Sequence, residues 1–156
     1  MRSKKIRALI ITLVCAALLG AALFFAFGGT PRRGEYISEY GTRYYIDREE
    51  ISRLGVKVEL SVGAAQKEIT LNVVYTYSLY TKDFEERISM TLDRVEYDGE
   101  DTAVKNLVAS LNRDIAGGSA TKYELGNLSL RASTDGEYAR GAGTVRINGE
   151  LLKKDR

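Results

Sequence analysis

Between Val56 and Leu92, apolar and polar residues alternate with a period of two. Val56, Val58, Leu60 and Val62 fall on one side, against Lys57, Glu59 and Ser61. Ile69, Leu71, Val73, Tyr75, Tyr77 and Leu79 follow, against Thr70, Asn72, Thr76 and Ser78, and Ile88, Met90 and Leu92 continue the set. This period puts one face of an extended chain in a core and the other in solvent. The β-branched and aromatic content suits strands. Turns centred on Ala65-Gln66 and Lys82-Asp83 pair Val62 with Ile69, Leu60 with Leu71, Tyr77 with Ile88 and Tyr75 with Met90. Both registers bury the same face, which predicts a three-stranded antiparallel meander. After Leu92 the apolar parity moves to Val95 and Tyr97, which predicts a bulge near Arg94.

The pattern then changes period. Ala103, Val104, Leu107, Val108, Leu111 and Ile115 recur at helical spacing, with Asp101 or Thr102 as N-cap and Gly117-Gly118 as stop. The apolar stripe, Leu107 and Leu111 included, is expected to cover the sheet. From Lys122 the chain reads as a hairpin about Asp135-Gly136, which sets Leu128 opposite Gly143, Leu130 opposite Gly141 and Arg131 opposite Arg140. Asn148-Gly149 turns the chain once more before Leu151-Leu152.

The N-terminal part is different in kind. Residues 8–29 carry no charge, and as a helix they would extend about 33 Å, matching a hydrocarbon core of about 30 Å. Arg2, Lys4, Lys5 and Arg7 precede them. The run exceeds the usual apolar region of a cleaved signal peptide, so the expectation is a retained signal-anchor. The cations place the N-terminus in the cytoplasm and the remainder outside the membrane. Tyr36, Tyr40 and Tyr44 recur every four residues, but Gly41-Thr42 interrupts any helix there.

Charge and composition exclude several chemistries. The formal net charge is +2, yet residues 30–156 hold 19 basic and 21 acidic side chains. A nucleic-acid-binding domain would carry its excess cations on the folded part, so no nucleic-acid partner is expected. His is absent and Cys15 stands alone, which removes His-based acid–base chemistry, the common zinc sites and intramolecular disulfides. Ser119-Ala120-Thr121-Lys122 matches a Ser-x-x-Lys pattern but lacks its companion motifs. Glu96, Asp98, Glu100 and Asp101 surround Gly99 without the spacing of a calcium loop, and read as a solvated turn before a helix. Asn127-Leu128-Ser129 is a glycosylation sequon with Asn127 facing outward.

These readings combine into an α+β protein. A tip (1–7), a transmembrane signal-anchor helix (8–29) and a juxtamembrane linker (30–42) lead to an extracytoplasmic domain (43–156). In that domain an antiparallel sheet of about five strands carries one packed helix, in the order β-β-β-α-β-β. The expected function is a single-pass, membrane-anchored binding or scaffold module. Its partners would be the lipid bilayer through residues 8–29 and a protein or envelope polymer. No catalytic, metal or cofactor residues are assigned. The alternative is a secreted or anchored envelope hydrolase using carboxylates or Ser-Lys. Residues 117–156 hold 7 basic and 5 acidic groups, so Arg131, Arg140 and Arg146 are the candidate strip for an anionic partner.

Overall fold

The computed structural model describes residues 2–27, 31–139 and 144–155. Residues 1–30 and 31–156 form separate compact units. The first is a helix, α1 (Arg2–Phe27), exposed from Lys4 to Ala21. That stretch includes Lys4, Lys5 and Arg7. No helix among the described residues is long and apolar enough to cross a membrane. The expected transmembrane signal-anchor at 8–29 is therefore corrected, and with it the single-pass localisation. The cations occupy the helix's first turns, and residues 28 and 29, which end the predicted span, lie outside the described residues.

The second unit corrects the fold class: a closed antiparallel barrel of eight strands replaces the antiparallel sheet of about five. Its strands are β1 (Gly34–Ser38), β2 (Arg43–Ile46), β3 (Glu50–Val62), β4 (Ala65–Lys82), β5 (Glu85–Glu96), β8 (Ser133–Ala139), β9 (Thr144–Ile147) and β10 (Glu150–Lys154). Helix α2 (Thr102–Gly117) and the separate hairpin β6 (Lys122–Leu125) and β7 (Leu128–Arg131) lie between β5 and β8 in sequence. Pairing of β1 with β10, Ile37 opposite Lys153, closes the barrel.

The tyrosines explain the segment before Glu50. Tyr36 and Tyr44 face each other across β1 and β2 and are 2% and 3% exposed, whereas Tyr40 sits in the connecting turn, 77% exposed. The spacing of four is a hairpin here, with Gly41 at φ +81° in its turn.

The meander is present with shifted registers. Val62 opposes Ala65 across Gly63-Ala64, with Gly63 at φ +62°, so Val58 meets Ile69. The next turn falls on Asp83-Phe84, both at positive φ, so Tyr77 meets Met90. Each shift is an even number of residues, which keeps every side chain on its predicted face. Opposite Val74 and Tyr75 stand Arg94 and Leu92, leaving Asp93 as the bulge residue.

The C-terminal hairpin differs more. Gly136 lies inside β8 opposite Ile147, where a Cβ would stand 2.5 Å from the Arg146 carbonyl oxygen. Its glycine serves close approach rather than a turn. Leu128 and Leu130 pair instead with Leu125 and Tyr123.

One face of β4 serves two cores. Tyr75, Tyr77 and Leu79 point into the barrel with Tyr36, Ile46, Ile51, Ile88, Met90 and Ile147. Ile69, Leu71 and Val73 continue that face beyond the barrel, under Val104, Val108, Leu111 and Ile115 of α2 and Tyr123, Leu125 and Leu130 of the hairpin. Helix α2 starts at Asp101, whose carboxylate accepts from the Ala103 and Val104 N–H groups, and stops at Gly118 in the left-handed conformation. Asn112 fixes it to β5: its amide oxygen accepts from Val95 N–H at 2.8 Å and its nitrogen donates to Val95 O at 2.9 Å.

Candidate functional site

At the seam between the two cores a cavity of about 440 Å³ opens. Arg53 of β3, Tyr75 of β4, Thr134 of β8, Asn148 of the β9–β10 turn, and Ser129, Leu130 and Arg131 of β7 line it. The lining follows from strand parity. Arg53 shares the inward face of β3 with Ile51, one step before the register shift that follows it. Tyr75 packs against both cores and marks the boundary on β4. The β6–β7 hairpin borders the opening because its turn docks on the free edge of β3. Asn127 N–H donates to Glu59 O, and Asn127 Oδ1 accepts from Glu59 N–H at 2.9 Å. Gly126, at φ +58°, allows this approach, since a Cβ there would collide with Glu59 O.

The electrostatics of the seam centre on Arg53. Its side chain is half-buried, and its Nε is fully buried without a hydrogen-bond partner. Among the described residues neither Arg53 nor Arg131 forms an ion pair. Burial pushes the Tyr44 hydroxyl up to about 12; the Arg53 charge opposes this and Glu150 adds to it. Burial likewise raises Tyr75, again opposed by Arg53. Glu150 Oε2 is also buried without a partner, but Glu150 is not a lining residue of the cavity. Two guanidiniums and one neighbouring carboxylate leave the seam net positive. Thr134 Oγ1 donates to Asn148 Oδ1 at 2.8 Å, which orients that wall.

The three arginines read from the sequence separate. Arg131 lines the cavity and pairs across the hairpin with Lys122. Arg146 points outward from β9, 3.9 Å from Glu137, and donates to Gly149 O at 2.9 Å. Arg140 lies outside the described residues. The predicted opposition of Arg131 and Arg140 therefore also lies outside the described residues. Arg53 was missed. Its signal is an arginine at inward parity two residues after Ile51, visible only if β3 is started before Val56.

The other candidates disperse. Ser119 and Lys122 are both exposed, and Lys122 Nζ lies 3.4 Å from Glu124. In the acidic turn, Glu96 holds Arg94, Glu100 faces Lys105, and Asp101 caps α2 while pairing with Lys67. The Lys67 ammonium, helped by the α2 N–H groups, holds the Asp101 carboxyl below its usual range. No group of three or more His, Cys, Asp or Glu side chains among the described residues could hold a metal ion. The amide of Asn127 is committed to β3, although the residue is exposed.

The chain matches no protein-family model, no curated protein and no solved structure.

Proposed function

We propose that this protein is a binding module that receives an anionic group, a carboxylate or a phosphate, at the seam between Arg53 and Arg131. The observation that carries the reading is that Arg53 and Arg131, neither with an ion-pair partner among the described residues, line one cavity. A guanidinium fork matches the paired oxygens of carboxylate and phosphate. Tyr75, Ser129 and Thr134 add hydroxyls around the same space.

Calorimetric titration of the full chain with inorganic phosphate, and separately with an oligoglutamate peptide, distinguishes the two anion types. Binding of one or both is expected, weakening as salt rises. Arg131→Gln should weaken binding about tenfold, or about 1.4 kcal/mol, while leaving the folded chain intact because Arg131 is exposed. Arg146→Gln, which is not part of the cavity lining, should not change it. Equal binding by wild type and Arg131→Gln would refute the assignment.

A further inference from the structure

We infer that the outer edge of β4, from Gln66 to Thr70, is a docking site for an extended basic segment of a partner protein, which adds to the sheet as a further strand. This is independent of the anion site. Strand β4 pairs with β3 from Ala65 to Thr76, but with β5 only from Asn72 to Lys82. Residues 65–71 therefore have a neighbour on one side only. Both backbone groups of Glu59 turn away from β4, since Asn127 takes them. In an antiparallel ladder the residue opposite must then turn both of its groups away as well. That residue is Glu68. By the period of two, Gln66 and Thr70 do the same, so three residues present N–H and C=O groups on the open side. No backbone partner for them occurs among the described residues.

The neighbouring edge, that of β3, is capped by the Asn127 turn, while this one borders a cleft of about 420 Å³. The cleft runs along Glu68–Asn72 on one side and Glu96–Gly99 on the other. Glu68, Glu96 and Asp98 line it, and because Glu96 is held by Arg94 at 2.9 Å, Glu68 and Asp98 are the charges it offers a partner. Glu68 has only a 3.7 Å exposed pairing with Lys57. Unpaired edge groups are a template for strand addition, and opposite charges across a strand pair favour it. Self-pairing of two copies about Glu68 would set like charges against each other, so the charge selects a basic occupant. The open length matches a segment of about five residues, some 17 Å.

The test is fluorescence anisotropy of the full chain with a labelled alternating lysine–valine peptide of about seven residues, against its glutamate–valine counterpart, followed by hydrogen exchange. The lysine peptide should bind and the glutamate peptide should not. Glu68 and Thr70 amides should exchange freely in the unbound chain and become protected on binding, while Ile69, bonded toward β3, is protected throughout. Thr70→Pro removes an N–H that has no partner, so the chain should fold and lose at least about tenfold in affinity. If Thr70→Pro does not fold, Glu68→Lys with Asp98→Lys should instead erase the preference for the lysine peptide. Unchanged binding by folded Thr70→Pro, equal binding of both peptides, or Glu68 and Thr70 amides left unprotected in the complex would overturn the inference. A dimer lost in Thr70→Pro would also overturn it, by making the occupant a second copy.

Discussion

Leu111→Ala should destabilise the barrel unit by about 2–5 kcal/mol, while Leu107→Ala should cost less than about 1 kcal/mol. Both leucines belong to the apolar stripe of α2, but the structure separates them. Leu111 is 7% exposed and packs with Val104, Val108 and Ile115 against the extended face of β3, β4 and β5. Leu107 is 40% exposed at the helix margin. Removing Leu111 leaves a cavity under a helix that Asn112 holds to Val95 through two hydrogen bonds, so the helix cannot slide freely to fill it. Removing Leu107 takes away methyl groups already partly in water. Urea midpoints of the two variants, measured side by side, check this. Similar losses would mean that α2 is rotated about its axis from the orientation described.

Alkaline pH should produce a second large loss of stability. Burial pushes Tyr44 and Tyr77 each up to about 12, from about 10 in an unfolded chain. Below pH 10 both hydroxyls are neutral in either state, and their contribution is fully present. Between pH 10 and 12 the unfolded chain ionises them and the folded chain does not, so unfolding is favoured and the contribution disappears. Two units correspond to about 3 kcal/mol for the buried Tyr44 and less for the partly exposed Tyr77, so the pair loses on the order of 4 kcal/mol. Tyr77 keeps its proton for a further reason: its hydroxyl donates to Asp47 O at 2.8 Å. Denaturant midpoints from pH about 9 to about 12 should fall more steeply for wild type than for Tyr44→Phe, which lacks one of the titrating groups. Identical slopes would place Tyr44 in water.

Much of the sheet was legible because parity survives errors of register. The turns near Gly63 and Asp83 were misplaced by two residues and by one, which moves the pairing registers by four and by two, so the apolar residues assigned between Val56 and Leu92 kept their predicted face. Asp101 and Gly118 were legible as caps because their chemistry is local. Closure of the barrel was not. It depends on β1 meeting β10 across more than a hundred residues, and β1, β2, β9 and β10 are each four or five residues long, too short for a periodicity to stand out. Phe84 hid its turn, since a left-handed aromatic residue carries none of the usual turn signals. Gly136 misled in the opposite way: Asp-Gly is a turn signal, but here the glycine admits the Arg146 carbonyl. That one error moved Arg131 onto the wrong hairpin partner and concealed its place beside the cavity. Arg53 escaped because a charged residue at inward parity reads as the end of a strand. In this chain it sits where the barrel core gives way to the core under α2.

The most direct measurement is the Arg53 Nε–H resonance of the full chain, assigned by its loss in Arg53→Lys and followed by NMR through an inorganic phosphate titration. The free chain should show a side-chain N–H shielded from water but without an acceptor. Phosphate should shift that resonance saturably, and Arg131→Gln should move the midpoint to about tenfold higher phosphate. An Arg53 Nε–H that stays fixed while other resonances respond would place the anion elsewhere and contradict the account.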